Sequence, residues 1–286
     1  MINKILLIFS LLLFSLVNFA QDLDAMLDQE EQNKTEFVAA TFKGTRVVNG
    51  HSVETRKKGS LEFLISHRFG RLNSGFYELF GLDNSNIRFG FEYALTDNLS
   101  IAVGRSSFEK TYDGYFKYKL LKQKRGAKVF PFTLTIFSSV TEKTLKDYQP
   151  DNKPTVTNRL TYTSQIIMAR KISSGLSLQL TPTYIHFNTA RSDDDNDIFA
   201  IGLASRIKVS NRVSINGEYF YTINPLTSIK AYDSIALGLD IETGGHVFQL
   251  ILTNSISMIE KGFVAETTGN FFNGDIHLGF NISRTF

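Results

Sequence analysis

Long runs of strict two-residue alternation limit this chain more than anything else in it. From Gly274 onward, Ile276, Leu278, Phe280, Ile282 and Phe286 fall on one side, and Asp275, His277, Gly279, Asn281, Ser283 and Thr285 on the other. A period of two with one oily face is a strand whose two faces meet different media. The same grammar recurs from residue 58 onward, and most runs reach ten residues or more. Strands of soluble domains run about 5 or 6 residues, whereas a strand crossing a bilayer at a tilt needs about 9 to 11. The alternation predicts twelve strands, over 60–70, 86–95, 98–108, 112–122, 129–141, 158–172, 176–188, 197–209, 212–224, 234–243, 246–257 and 274–286.

The connections alternate in length. Thr96-Asp97-Asn98, Ser173-Ser174-Gly175, Ser210-Asn211-Arg212 and Thr243-Gly244-Gly245 are tight turns, with a looser basic one at 123–128, while the opposite ends carry mostly longer loops such as Arg71–Ser85 and Ile259–Asn273. Short turns at one end and longer loops at the other predict an all-β, transmembrane, antiparallel up-and-down barrel, its turns periplasmic and both termini on that side. Aromatics near strand ends on the oily face (Tyr93, Tyr112, Phe130, Tyr162, Tyr184, Tyr219, Tyr221 and Phe286) suit girdles at the two interfaces, although Trp is absent. Eight strands leave an interior just filled by side chains and about 16 to 18 leave an open channel, so twelve predicts a narrow or plugged bore.

Ahead of the barrel, expected over 59–286, two segments differ. Residues 1–20 carry Lys4, an apolar run from Ile5 to Val17 and a small residue at Ala20, the pattern of a cleaved signal peptide whose apolar run is too short to span a bilayer. Residues 21–58 form a periplasmic or plug segment: Gln21–Glu36 is acidic and loosely helical, and Phe42–Arg56 is polar around Asn49-Gly50, a hairpin signal. Lys43, Arg46, His51, Glu54 and Arg56 would be costly against lipid, which favours a hairpin plugging the lumen or hanging below it over two more strands. No cysteine occurs, which removes lipid anchors, disulfides and thiolate sites. The net charge of +3, which loses Lys4 with the signal, lacks the basic excess of a nucleic-acid binder.

TFKGTRVVNGHSVETRKKGSLEF (Thr41 to Phe63), the stretch from His67 to Leu121 beginning HRFGRLNSGFYELFGLDNSN, and the closing GDIHLGFNISRTF resemble an uncharacterised family of Bacteroidetes-type outer-membrane β-barrel proteins. The ending on Phe286 also resembles the terminal signal that the barrel-assembly machinery reads. The resemblance implies a fold, a bacterial outer-membrane location and contact with outer-membrane lipid and lipopolysaccharide. It carries over no catalytic or binding residue.

The lumenal face is mixed in sign. Its candidates are Arg68, Arg88, Glu92, Asp113, Lys117, Lys119, Lys171, Arg206, Lys208, Glu218, Asp240, Glu242, Asp275 and His277. Lys117 and Lys119, part of a basic run with Lys122, Lys124, Arg125 and Lys128, either draw anions toward a pore or pair with Glu92, Glu218, Asp240, Glu242 or Asp275. No nucleophile elbow, phosphate loop or metal-binding helix motif occurs, so no enzyme and no cofactor are expected. His186 and Asn188 near Thr189 would be the place to look for a lipid hydrolase. Asp193, Asp194, Asp195 and Asp197 form an acidic run that reads as a solvated loop, with a calcium or magnesium site as the other reading. The expected activity is a narrow or gated channel for a small solute, and the alternative is a non-conducting barrel that binds a periplasmic or surface partner.

Overall fold

The computed structural model describes residues 34–146, 154–190 and 194–286. The expected signal peptide, the acidic stretch up to residue 33 and Asp193 lie outside the described residues. The chain divides into two compact units. In the smaller, Glu36–Phe37 pairs antiparallel with Lys124–Arg125, and the ammonium groups of Lys122 and Lys124 lie over the Phe37 ring. Glu36 is therefore extended rather than loosely helical, and Phe130 bridges Lys124 instead of joining a membrane girdle.

The larger unit, Ala39–Leu121 with Phe132–Phe286, is a closed antiparallel barrel of twelve strands. They are β1 Leu61–Arg71, β2 Ser85–Ala94, β3 Leu99–Ser106, β4 Thr111–Leu121, β5 Thr133–Lys143, β6 Leu160–Lys171, β7 Leu176–Phe187, β8 Asp197–Lys208, β9 Val213–Thr222, β10 Ser234–Thr243, β11 His246–Thr253 and β12 His277–Thr285. Each strand pairs with its sequence neighbour, and β12 returns to β1, with Ile282 opposite Ile65 and Thr285 opposite Glu62. Phe286 completes the seam by exchanging backbone hydrogen bonds with Leu61 at 2.9 and 3.2 Å. A closed ring leaves no unpaired edge in hydrocarbon.

Three of the tight turns share one device. The hydroxyls of Thr96, Ser173 and Ser210 each accept from the backbone N–H groups two and three residues on, at 3.0–3.3 Å. The side chain stands in for a backbone turn acceptor, which explains why polar β-hydroxy residues open these turns. In the fourth, Gly244 takes a φ of 43°, a conformation glycine adopts without a Cβ clash.

Faces sort as the alternation predicts. Phe89, Phe91, Val103, Ile166, Leu203 and Leu250 point outward and are exposed, whereas the alternate residues, mostly polar, are buried inside the ring. Tyr93, Tyr118 and Phe286 stand outward near the turn end, and Tyr112, Tyr162, Tyr184, Tyr219 and Tyr221 near the loop end. Tyr184 and Tyr219 donate to Asp197 and Asp233, each at 2.6 Å, so the ring faces apolar surroundings while its hydroxyl reaches a carboxylate at the loop end of the barrel.

Several strands are shorter than predicted, and for two the structure shows the cause. β5 starts at Thr133 rather than 129, because Phe130 is engaged by Lys124. β11 ends at Thr253 rather than 257, because the connection to β12 turns into the barrel: Ser257, Met258, Ile259, Glu260 and the π-helix Lys261–Ala265 are buried.

Candidate functional site

The lumen is filled from both ends. From the turn end comes a hairpin, residues 39–58, which belongs to the same compact unit as the barrel. Lys171 holds its start by donating to the Ala39 carbonyl (2.9 Å), and its return is fixed near the β2–β3 turn, where Lys58 N–H donates to the Asp97 carboxylate (2.8 Å). Val47 and Gly50 pair at the tip (2.8 Å), and Arg46 bridges His51. The Asn49-Gly50 signal thus marks a hairpin tip, although neither residue takes a positive φ. Gly50 is needed for close approach: a Cβ there would stand 3.1 Å from the Glu218 carboxylate and 3.2 Å from the Phe220 ring.

Many polar groups of the hairpin meet the wall. The backbone N–H groups of Val48, Asn49 and Gly50 converge on the Glu218 carboxylate at 3.0–3.3 Å, a nest of donors filled by an acid from β9. Hairpin carbonyls accept from Gln249 and Asn216 (both to Val47), Asn281 (to Val48), Gln179 (to His51) and Thr135 (to Val53), at 2.7–3.3 Å. Arg68 donates to the Asn49 side chain at 2.8 Å. Lys117 caps the carbonyls of Thr45 and Ser52, and Lys119 meets Glu54 at 3.4 Å. The two lysines therefore spend their donors on the plug, not on the wall carboxylates the sequence offered. Lys43 pairs with Glu242 and Arg56 with Glu62. Phe42, Val47, Val48 and Val53 pack with Phe137, Ile167, Ala236 and Ile251.

Other wall charges satisfy each other. Arg88 on β2 reaches across β3 to Asp113 on β4 (Nε–Oδ1 2.9 Å), which is possible because Gly104 lies beneath: a Cβ there would be 2.3 Å from the guanidinium. Tyr115 donates to Glu92 (2.9 Å), Arg206 to Ser214 (3.1 Å), and Gln249 to Asp240 (2.6 Å). His277 is bonded to the Phe69 carbonyl (2.8 Å). Lys208 and Lys171 are half-buried near the turn end of the wall. Asp275 falls before β12 begins, half-buried in the loop beside Arg71 and Asn73, so it does not line the strand wall.

From the loop end, the β11–β12 connection meets the hairpin inside the barrel. Arg46 donates to Glu260 at 2.7 Å with both side chains buried, and His51 lies 3.3 Å from the same oxygen, held between the rings of Tyr115 and Phe137. Beyond this junction Phe263, Val264 and Ala265 pack against Ile185, Ile198, Phe220 and Leu226. Lys261 then closes a second network, bonded to Glu266 (3.1 Å) and Glu109 (3.3 Å), with Lys143 on Glu109. Burial works against the charge of Lys261, but the two carboxylates outweigh it and raise its pKa. Burial likewise opposes ionisation of Glu109, and the two lysines overcome it, holding the carboxyl below the usual glutamate range. Sequence reading missed this loop as a lumen filler; its signal was the run Met258-Ile259 and Phe263-Val264-Ala265 inside a predicted outer loop.

A cavity of about 260 Å³ opens at the loop end, lined by Lys143, Asn158, Thr161, Phe187, Leu226 and Lys261 among others. Only part of the acidic run reaches it. Asp194 and Asp195 line the cavity, Asp194 accepting from Thr227 and Ser228, whereas Asp197 bonds Tyr184 and His186. Burial of Asp194 acts to raise its pKa, but the Ser228 and Thr227 donors pull it down to about 2. No cluster of three or more potential metal ligands occurs among the described residues. His186 binds Asp197 through Nδ1 (2.7 Å) and stacks on Tyr162, and Asn188 donates to the Thr157 carbonyl. The described hydrogen bonds of His186 and Asn188 include none to a serine or threonine hydroxyl.

A family described as "Membrane bound beta barrel domain (DUF5777)" matches residues 42–286. The chain belongs to that family. The matched span includes most of the hairpin, so barrel and plug are one family unit. No curated protein is detectably similar in sequence. Among solved structures the chain is similar to the KdgM porin (10% identity, TM-score 0.47, 79% of this chain and 99% of that chain). It is also similar to the COG4313 outer membrane channel from Pseudomonas putida F1 (15%, 0.47, 82% and 98%) and to Acinetobacter baumannii Omp33 (7%, 0.45, 80% and 99%). At that level of likeness no function transfers to this chain.

Proposed function

We propose that this membrane-bound barrel is an outer-membrane channel for a small solute, held shut by two inserted segments. The observation that carries the reading is the Arg46–Glu260 contact, where a hairpin from one end and a loop from the other meet inside the ring. Closure is produced by parts joined to the wall through side chains and not through the sheet ladder, and such parts can leave without breaking the barrel. A twelve-stranded ring emptied of both would hold a water-filled bore of intermediate width. The polar inward face suits that bore, and the candidate wall charges would then line the path. The location implies a cleaved signal at 1–20, contact with outer-leaflet lipid and lipopolysaccharide, and reading of the strand ending at Phe286 by the assembly machinery.

Planar-bilayer recording of a barrel lacking 39–58 and 256–267 tests this. Steady conductance is expected, against silence for the full chain. A doubly trimmed barrel that folds and inserts yet passes no current overturns the channel.

A second reading has its own support: Phe76, Tyr77 and Phe272 stand exposed on the loops beside β1 and β12, a surface for a partner of a non-conducting barrel. Silence of the trimmed barrel would favour it.

A further inference from the structure

Four inward polar atoms on two neighbouring strands are buried and have no hydrogen-bond partner among the described residues: Ser139 Oγ and Thr141 Oγ1 on β5, Thr163 Oγ1 and Gln165 Oε1 on β6. They form one patch. Ser139 is directly opposite Thr163, Thr141 opposite Thr161, and Gln165 opposite Phe137. Buried polar groups are nearly always paired, so four adjacent exceptions call for an explanation. The patch continues into the open cavity at the loop end, because Thr161 lies both in its grid and in the cavity lining. The π-helix Lys261–Ala265 packs against β6 and β9.

The chemistry of this wall is specific. Each hydroxyl can both donate and accept, and the amide oxygen of Gln165 is free while its nitrogen donates to Thr183 at 3.0 Å. Among the described residues the charges next to the patch are committed, Asp113 opposite Thr141 to Arg88, Lys143 to Glu109, and Lys261 to Glu109 and Glu266, while Arg159 and Asp195 line the cavity above it. A charged solute that left water for the buried patch below the cavity would meet only hydroxyls and an amide there, which is costly. A neutral solute rich in hydroxyls would trade water for matched donors and acceptors and lay its apolar faces on Phe187, Leu226 and Leu160.

We infer that the β5–β6 wall and the cavity above it form a binding track for an uncharged, polyhydroxylated solute of the saccharide class, occupied from the loop end as the inserted loop lifts. The purpose of such a track rests on the channel reading, though its chemistry does not.

Titration calorimetry of the purified full chain in detergent, with maltotriose as neutral probe and glucuronate and lysine as charged ones, tests it. Maltotriose is expected to bind at least tenfold more tightly than either charged probe. Thr161→Val, at the open floor, and the shape-conserving pair Thr141→Val with Thr163→Val are each expected to weaken maltotriose at least tenfold while the far-UV circular dichroism is unchanged. Should the pair fail to fold, Thr161→Val with Ser139→Ala decides. Equal or tighter binding of a charged probe, no maltotriose binding, or binding indifferent to these substitutions overturns the track. Recording from the trimmed barrel separates the two readings: conductance without maltotriose binding removes the track alone, and binding without conductance removes the channel alone.

Discussion

The hairpin 39–58 and the inserted loop 254–276 fill the same barrel with different balances of polar and apolar contact. The hairpin is held by hydrogen bonds from around the wall to its own backbone, with Glu218, Gln249, Asn281, Gln179, Thr135 and Lys117 each taking a main-chain group. Past its junction, the loop is held by apolar contact of Phe263, Val264 and Ala265 with Ile185, Ile198 and Phe220. On withdrawal into water the hairpin exchanges its wall hydrogen bonds for water, at a net of about 0.5–1.5 kcal/mol for each bond, and exposes Phe42, Val47, Val48 and Val53. The loop exposes Phe263, Val264 and Ala265 at roughly 25 cal/mol per Å² of apolar surface. The difference lies in the hairpin's larger polar share, which water can replace.

The largest effect expected from this contrast is electrical. Removing 39–58 alone should produce brief, low conductance, because the apolar loop still occupies the upper lumen. Removing 256–267 alone should leave the barrel silent, since the hairpin reaches across the middle. Bilayer recordings of the two single deletions beside the double one check the ordering; steady full conductance after loop deletion alone would reverse the roles assigned here.

The junction should respond next most strongly. Glu260→Ala leaves Arg46 buried without its acid, and breaking one side of a buried pair costs about 3–5 kcal/mol. Arg46→Met with Glu260→Met, which removes both charges and keeps volume, is expected to restore most of that stability. Thermal unfolding in detergent of the two single variants and the double gives the coupling. Purely additive losses would mean that the two segments are not joined there.

The barrel was legible in the sequence because alternation is a local property: every strand carries its own inward and outward list, and turn hydroxyls such as Ser173 and Ser210 announce the reversals. The hairpin was legible in part, since Lys43, Arg46 and Glu54 cannot face lipid, and the Asn49-Gly50 tip stood out. The partners were not. Glu218 reads as one more lumenal acid, and nothing near it in sequence shows that it collects three N–H groups from residues 48–50. Lys117 reads as a free cation or a wall pair, yet it caps hairpin carbonyls, because a buried ammonium can be satisfied by backbone oxygen as well as by an acid. The inserted loop escaped because apolar residues in an irregular segment have no period to reveal which way they face. Contacts more than a hundred residues apart, such as Arg46 with Glu260, are set by ring closure and leave no local trace.

Paired substitutions would sharpen the chemical contrast. Phe263→Ala empties a fully buried ring site and should cost about 3–5 kcal/mol. Thr135→Val deletes a single hydrogen bond to the Val53 carbonyl and should cost about 1 kcal/mol. Unfolding midpoints of the two variants in one detergent measure the gap directly. Equal losses would show that the hairpin is sealed as tightly by its polar contacts as the loop is by packing.

The smallest effect is a dependence on acidity confined to the loop's outer network. Glu109, bonded to Lys143 and Lys261, titrates in the folded barrel below its ordinary value of about 4.3. A carboxyl whose folded pKa is depressed stabilises fully above the unfolded pKa and loses that contribution as pH falls through the folded one. The barrel should therefore weaken as pH drops below about 4.3, and Glu109→Gln should flatten that part of the profile by removing the titrating group. The comparison is the shift in unfolding midpoint between pH 6 and pH 3 for the full chain and for Glu109→Gln, alongside Thr135→Val as a hairpin control. Because Lys261 anchors the loop and has no bond to the hairpin, Thr135→Val should keep the parent's pH response. A profile flattened equally by Thr135→Val would place the acid sensitivity in the hairpin instead, and the two plugs would then differ in packing but not in charge.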